Sequence, residues 1–172
     1  FKSMNNRFVS RILTELVQFL LMLHLPIKPI IKSTIYKHFC GGETIQESQT
    51  TIDKLWKSRI GTILDFSAEG KESVIDFNKA LKQTLASIEK ASVSDSIPFS
   101  VFKPTGLCKF SILEKINNGS YLSADEEREK IEYEERVDTI CKLAYDKNVA
   151  VFIDAEESWI QDAIDSIAER MM

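Results

Sequence analysis

The sequence predicts an α/β fold with a parallel sheet, because three short apolar runs alternate with segments of helical character. The runs are 62–66, 99–103 and 149–153, and helices of ten or more residues are expected between and after them. Such alternation is typical of βαβ units. Each run is apolar almost throughout, without regular polar alternation, which predicts strands that are covered on both faces.

Residues 1–60 are predicted to form an all-helical arm, and residues 61–172 to carry the strand-helix units. Apolar residues at helical spacing predict a first helix, and a second is expected over 30–39. The glycine pair 41–42 follows it, where positive φ is favourable at a helix end. A capping box that begins at Thr44 predicts the start of a third helix.

Composition excludes several classes of protein and of site. A net charge of −4 with 44% apolar residues is typical of a soluble globular domain and offers no basic footprint for nucleic acid. Cys40, Cys108 and Cys141 have no metal-binding spacing, so we expect buried or half-buried thiols and no metal site. His24 and His38 have no ligand shell around them and are expected on helix surfaces or in packing.

Charged residues follow each predicted strand. The first run ends at Asp65 with Glu69 just beyond it, the second at Lys103 and the third at Asp154. The C-terminal strand ends of a parallel α/β fold face the ligand site. The sequence therefore predicts one cation among carboxylates, in which Lys103 binds the carboxylate of a small charged substrate. A purely structural ion pair between Lys103 and Asp154 is an equally open interpretation.

Four phrases resemble successive signature segments of the proline dehydrogenase family, in the order in which that family has them. They are Gly42-Glu43-Thr44-Ile45, Ile63-Leu64-Asp65-Phe66-Ser67-Ala68-Glu69-Gly70, Val101-Phe102-Lys103-Pro104-Thr105-Gly106-Leu107 and Phe152-Ile153-Asp154-Ala155-Glu156-Glu157-Ser158-Trp159. The resemblance spans residues 42 to about 165. It implies a partial (β/α)8 barrel with about three parallel strand-helix units after the helical arm.

The resemblance also implies roles for single residues. Lys103 matches the lysine that contacts the proline carboxylate, and Asp154 matches the active-site aspartate beside it. Ala155 falls where the backbone passes close to the flavin. Glu69 matches a glutamate that pairs with a substrate-binding arginine and closes the pocket, with Asp65 in support.

The family reaction oxidises L-proline to Δ1-pyrroline-5-carboxylate, with hydride transfer to FAD and onward transfer of electrons to a quinone or membrane acceptor. The implied location is the bacterial cytoplasm, peripheral to the inner membrane, or alternatively the mitochondrial matrix or inner membrane. Negative charge at the start of the next helix accounts for Glu156 and Glu157 without any family role.

The sequence is expected to be the amino-terminal part of a longer chain. It opens at Phe1 without an initiator methionine, and it lacks both the Arg-Arg pair of the family's carboxylate clamp and a glycine-rich dinucleotide motif. We therefore expect a truncated segment that alone neither binds FAD tightly nor turns over proline. Unpaired sheet edges predict self-association.

Two other functions remain open from the residues alone. Lys103 at a strand end near carboxylates suits a Schiff-base lyase or aldolase built on another barrel. Residues 1–60 suit a helical interaction module that binds a partner or a membrane surface.

Overall fold

The structure is a computed structural model, and it describes the greater part of the 172-residue chain. The described residues are 7–23, 29, 36, 40–66, 70 and 72–172. The chain divides into two compact units, residues 1–48 and residues 49–172. The helix predicted over 30–39, together with His24, His38 and Glu69, lies outside the described residues, apart from single positions of that helix. The arm boundary predicted at residue 60 stays a prediction.

Helices dominate the described part of the chain, and two strands lie among them. In chain order the elements are α1 (Arg7–Met22), α2 (Ile45–Trp56), α3 (Val74–Ala91), β1 (Phe99–Phe102), α4 (Phe110–Asn117), α5 (Ala124–Asp146), β2 (Ala150–Ile153) and α6 (Gln161–Met171), with one-turn 3-10 helices at Pro104–Gly106 and Ser158–Ile160. The sequence pattern missed only the short helix α4 among these α-helices. No helix in the described part is long and apolar enough to cross a membrane.

The start of α2 follows the predicted capping box, with one difference. Thr44 Oγ1 accepts a hydrogen bond from the Glu47 amide at 3.1 Å, but Glu47 Oε2 accepts from the Glu43 amide, not that of Thr44. Neither glycine of the pair 41–42 has the expected positive φ. A Cβ at Gly42 would lie 2.7 Å from the Ser48 amide nitrogen, so close backbone approach explains that glycine.

The two strands confirm a parallel α/β arrangement. β1 and β2 pair in parallel, with Phe99 opposite Ala150 and Phe102 opposite Ile153. The crossover between them contains α4 and α5. The Asp154 amide donates to the Phe102 carbonyl at 2.9 Å, so the ladder continues just past the end of β2.

The first predicted strand, 62–66, is not a strand in the structure. The Thr62 amide donates to the Ser96 carbonyl at 2.8 Å. Among the described residues this is the backbone hydrogen bond that the run makes. Ser96 lies in the loop before β1, so the run gains no ladder with the strand itself. An apolar run becomes a strand only when its backbone groups find repeated partners. The described part therefore has two parallel strands where about three were predicted.

The core lies on one face of the sheet, under α3, α4, α5 and α6. Its fully buried side chains include Ile88, Leu113, Val137, Ile140 and Ile160, and the half-buried Val151 and Ile153 of β2 pack against it.

The opposite sheet face is open at β2 but covered at β1, where Val101, the partner of Phe152 in the ladder, is buried. The prediction of strands covered on both sides therefore holds for β1 and is wrong for β2. Ala150 is exposed there, and the Phe152 side chain is 52% exposed. Its ring contacts that of Phe99, with centroids 4.2 Å apart. Within the described residues the exposed face therefore belongs to β2 alone of the two strands.

Two glutamates in the acidic first half of α5 form ion pairs with lysines in and before α4. Glu126 pairs with Lys115 at 2.6 Å and Glu129 with Lys109 at 2.7 Å, which ties α5 to α4 and to the loop before it. Ser123 and Glu126 also form a complete capping box.

The cysteines differ from the prediction at one position. Cys108 is buried and Cys141 half-buried, but Cys40 is exposed. Burial raises the pKa of the Cys108 thiol to about 12, so this thiol stays protonated and unreactive. Within the described residues no group of three His, Cys, Asp or Glu side chains could hold a metal ion.

Candidate active site

The structure brings Lys103, Asp154 and Asp65 together at the C-terminal end of the sheet. Lys103 Nζ lies 2.6 Å from Asp154 Oδ2 and 3.9 Å from Asp65 Oδ2. A further carboxylate, Glu156 Oε1, lies 2.7 Å from the same nitrogen. The Lys103 side chain is only 9% exposed, whereas the three carboxylate side chains are 37–44% exposed. The centre is thus one shielded cation inside a more accessible ring of carboxylates.

Strand register explains why Asp154 and Lys103 meet. Phe102 lies opposite Ile153, so the next residues along each strand, Lys103 and Asp154, are neighbours across the ladder. Alternate residues of an extended chain project to the same side, which brings Glu156 to the same nitrogen as Asp154.

Glu156 is the site residue that sequence reasoning missed. Negative charge near a helix start does not fully account for Glu156, because its side chain also accepts a hydrogen bond from Lys103 Nζ. The helical segment itself begins as predicted at Ser158, with a 3-10 turn that leads into α6. The spacing of Asp154 and Glu156, two residues apart after a strand, is the signal that predicts the contact.

Charge around Lys103 fixes its protonation state. Burial alone would lower the pKa of Lys103, but hydrogen bonds to Asp154 and Glu156 and the charge of Asp65 together raise it above its usual range. The ammonium group is therefore charged at neutral pH. A Schiff-base lysine needs a neutral amine, so this environment disfavours the lyase alternative.

The loop after β1 holds Lys103 through a short turn. Pro104–Gly106 forms a 3-10 turn in which the Gly106 amide donates to the Lys103 carbonyl at 3.0 Å. The Leu107 carbonyl at the end of that turn accepts a hydrogen bond from Arg136 Nη1 at 3.1 Å. The backbone on the C-terminal side of Lys103 is thereby tied to helix α5.

Arg136 is a second residue that the sequence pattern did not single out. It is 7% exposed, and besides Leu107 it contacts Glu132 at 2.9 Å and Asn78 at 3.3 Å. Its guanidinium also lies 5.5 Å from the centroid of the Phe77 ring. These partners satisfy a buried cation and join α3, α5 and the loop that carries Lys103.

Around the lysine, the described residues leave a small cleft. Asp65, Phe66 and Thr84 are among the residues that line it, together with Lys103 itself. Ala155, predicted beside the flavin, is exposed directly after Asp154. Glu69 lies outside the described residues, so its predicted pocket-closing role stays a prediction.

Comparison with known proteins decides the family. A protein-family model described as proline dehydrogenase matches residues 48–172. The chain belongs to the proline dehydrogenase family. The match includes Lys103, Asp154 and Asp65, and it confirms the resemblance found in the signature phrases.

Individual known proteins are similar to the chain at modest identity. It is 31% identical to the carbapenem antibiotics biosynthesis protein CarD of Pectobacterium carotovorum subsp. carotovorum, over 81% of this chain and 37% of that protein. It is 30% identical to proline dehydrogenase 1, mitochondrial, of Dictyostelium discoideum, over 81% of this chain and 31% of that protein. A probable mitochondrial proline dehydrogenase of Schizosaccharomyces pombe is 26% identical, over 84% of this chain and 39% of that protein. The chain therefore spans about a third of the length of these relatives.

Proposed function

We propose that the protein containing this chain oxidises L-proline to Δ1-pyrroline-5-carboxylate, with hydride transfer to FAD and onward transfer to a quinone or membrane acceptor. This chain contributes the Lys103 side of the substrate pocket. The observation that carries the proposal is the shielded, protonated Lys103 at a strand end of a proline dehydrogenase family chain, held by Asp154 from the neighbouring strand.

Lys103 serves orientation in this proposal. An ammonium kept charged by its neighbours attracts the proline carboxylate as a point charge. The same charge prevents Lys103 from acting as a base, so it moves no proton. Asp154 is the proposed active-site aspartate: it sets the direction of the Lys103 side chain and borders the substrate pocket. Asp65 adds negative charge from the segment before α3.

The residues present fit the ring part of a flavin. Ala155 is exposed beside the lysine centre, and the open sheet face presents the exposed ring of Phe152. The small side chain of Ala155 leaves the backbone after Asp154 accessible to a planar isoalloxazine. The bound FAD would supply the hydride acceptor. We propose that the segment alone neither retains FAD tightly nor turns over proline, because the Arg-Arg clamp is missing from its sequence.

We also propose that further strand-helix units complete a (β/α)8 barrel in the whole protein. Support comes from the open sheet face, from the outer edge of β2, and from the one third of its relatives' length that the chain spans. In isolation the same edges favour self-association. Glu69 is proposed to close the substrate pocket.

The proposed location is the bacterial cytoplasm, peripheral to the inner membrane. Two relatives carry mitochondrial names, which makes the mitochondrial matrix or inner membrane the alternative. The interaction-module alternative for residues 1–60 leaves the convergence of charges on Lys103 without an explanation.

Proline-dependent reduction of a quinone by the full-length protein tests the proposed function. In the variant Lys103→Met we expect KM for proline to rise by roughly 10- to 100-fold, because one charge-assisted contact of about 1.5–3 kcal/mol is lost. Lys115→Met is the matched control, since Lys115 pairs with Glu126 between α4 and α5. An unchanged KM in Lys103→Met would overturn the assigned role.

Two further measurements separate the remaining alternatives. Absorbance of the isolated chain near the flavin band should show no stoichiometric flavin, and a fully yellow protein would contradict that expectation. Borohydride treatment with a carbonyl substrate should leave Lys103 unmodified. A covalent adduct on Lys103 would favour the lyase.

A further inference from the structure

The ammonium group of Lys103 is already surrounded before any substrate arrives. Two carboxylate oxygens lie within 2.7 Å of Nζ and a third at 3.9 Å. An ammonium has three hydrogen-bond donors, and this side chain is 9% exposed. A substrate carboxylate that reaches Lys103 therefore enters next to anions that repel it. Little of the ammonium group is accessible while Asp154 and Glu156 hold it, so the departure of one of these carboxylates favours direct binding of a substrate carboxylate at Lys103.

Asp154 is the carboxylate that stays. Its short side chain sits one residue past β2, and its amide donates to the Phe102 carbonyl at 2.9 Å. Strand register places it beside Lys103, so moving it would break the end of the ladder. The oxygen of Asp65 lies farther from Nζ, at 3.9 Å, so its movement opens no position at hydrogen-bond distance from that nitrogen.

Glu156 is the carboxylate that can leave. It lies in the irregular segment between β2 and the 3-10 turn at Ser158, and its side chain is longer by one methylene. The hydrogen bond recorded for its side chain in the described part is the one to Lys103, at 2.7 Å. Its side chain is 37% exposed, close to the values for Asp154 and Asp65, so length and backbone position, not exposure, distinguish Glu156 from the other two carboxylates.

We propose that Glu156 occupies the substrate-carboxylate position on Lys103 and is displaced when proline binds. This inference rests on the proposed function. Glu156 then acts as a tethered competitor that keeps Lys103 paired in the empty site. It also sets specificity, because only an anionic ligand compensates Lys103 for the lost partner. A neutral analogue such as prolinamide gains nothing from the exchange.

The variant Glu156→Gln in the full-length protein tests the exchange. The amide keeps the size of the side chain and removes its charge, so the competitor becomes weaker. We expect KM for proline to fall by about 1.5- to 5-fold, the range of a partly exposed ion pair, with kcat changed by less than about twofold. Glu169→Gln in α6, an exposed position, is the control. An unchanged or raised KM would overturn the proposal.

A binding measurement keeps this test separate from the reaction. The dissociation constant of acetate is measured by calorimetry for the native protein, for Glu156→Gln and for Lys103→Met/Glu156→Gln. Tighter acetate binding in Glu156→Gln that disappears in the double variant supports the exchange, even if no proline turnover is found and the proposed function fails. Equal acetate affinity in all three proteins overturns it. If Glu156→Gln fails to fold, Glu156→Asp replaces it, and its shorter reach should produce a smaller gain of the same sign.

Discussion

Lys103 and Asp154 are 51 positions apart in sequence and form the shortest ion pair of the site, with 2.6 Å between Nζ and Oδ2. Each residue directly follows a strand, and the parallel register of those strands makes them neighbours. The pair therefore forms whenever β1 and β2 form. The contact of Lys103 with Glu156, in contrast, depends on the path of the chain after β2.

Replacing Asp154 should destabilise the chain through the charge it leaves behind. In Asp154→Ala the shielded ammonium of Lys103 loses its closest partner, and we expect a loss of about 1–3 kcal/mol in the free energy of unfolding. Asp154→Asn keeps an oxygen acceptor and should lose less. Urea unfolding of the 172-residue chain measures both. Asp125→Ala, an exposed residue of α5, is the control, and equal losses in all three variants would contradict the assignment.

Glu126 predicts an acid-sensitive contact between α4 and α5. The hydrogen bond from Lys115 and that from the Ser123 amide lower the pKa of Glu126 to about 2. Because this pKa is below the ordinary value of 4.5, its stabilising effect is present above pH 4.5 and is lost as pH falls through about 2.

The melting temperature of Glu126→Gln should therefore lie below that of the native chain at pH 7, and the difference should shrink between pH 4.5 and pH 2. Glu127→Gln is the matched control, because Glu127 Oε2 lies 3.8 Å from Lys130 Nζ and forms a weaker ion pair. A difference that stays constant across this pH range would show that Glu126 acts through its size or its neutral hydrogen bonds.

Arg136 should be more important for stability than its place on a helix suggests. It is buried, and its hydrogen bonds reach the Leu107 carbonyl, Glu132 and Asn78. Arg136→Met leaves that carbonyl without its donor, and we expect a loss of at least about 2 kcal/mol in the free energy of unfolding. Arg136→Lys should not restore stability, because a single ammonium cannot reproduce the planar fork.

Denaturant unfolding of the two Arg136 variants, compared with Arg128→Met, checks this expectation. Arg128 is a largely exposed residue of the same helix that pairs with Asp125. Recovery of native stability by Arg136→Lys would indicate that charge alone is needed there.

Local patterns in the sequence were sufficient for most of the fold. The apolar runs at β1 and β2, the cap at Thr44 before α2, and the charges after each strand all predict what the structure contains. The run 62–66 has the same local character, yet its backbone meets the loop at Ser96 instead of a strand edge. Whether an apolar run pairs depends on its neighbours in space, which composition does not encode.

The site was predictable to a similar extent. Lys103 and Asp154 follow from the rule that parallel strand ends share one edge of the sheet. Asp65 lies 3.9 Å from the same lysine although its run is not a strand, so the rule does not account for its position. Glu156 and Arg136 do not follow from the rule either. Glu156 reaches the lysine through the extended path after β2, and Arg136 reaches the loop after β1 from the middle of α5. Contacts of this kind come from tertiary packing.

The open sheet face predicts how the isolated chain behaves in solution. The Phe152 ring is 52% exposed and touches Phe99 across the strands, so it presents apolar surface where no helix lies within the described residues. Phe152→Ser should reduce self-association in analytical ultracentrifugation, because less apolar area is available for a second chain. The free energy of unfolding should change by less than about 1.5 kcal/mol, the scale of one aromatic pair. Tyr145→Ser on α5, at an 86% exposed position, should leave association unchanged. If the two variants associate equally, the sheet face is not the surface through which the chain self-associates.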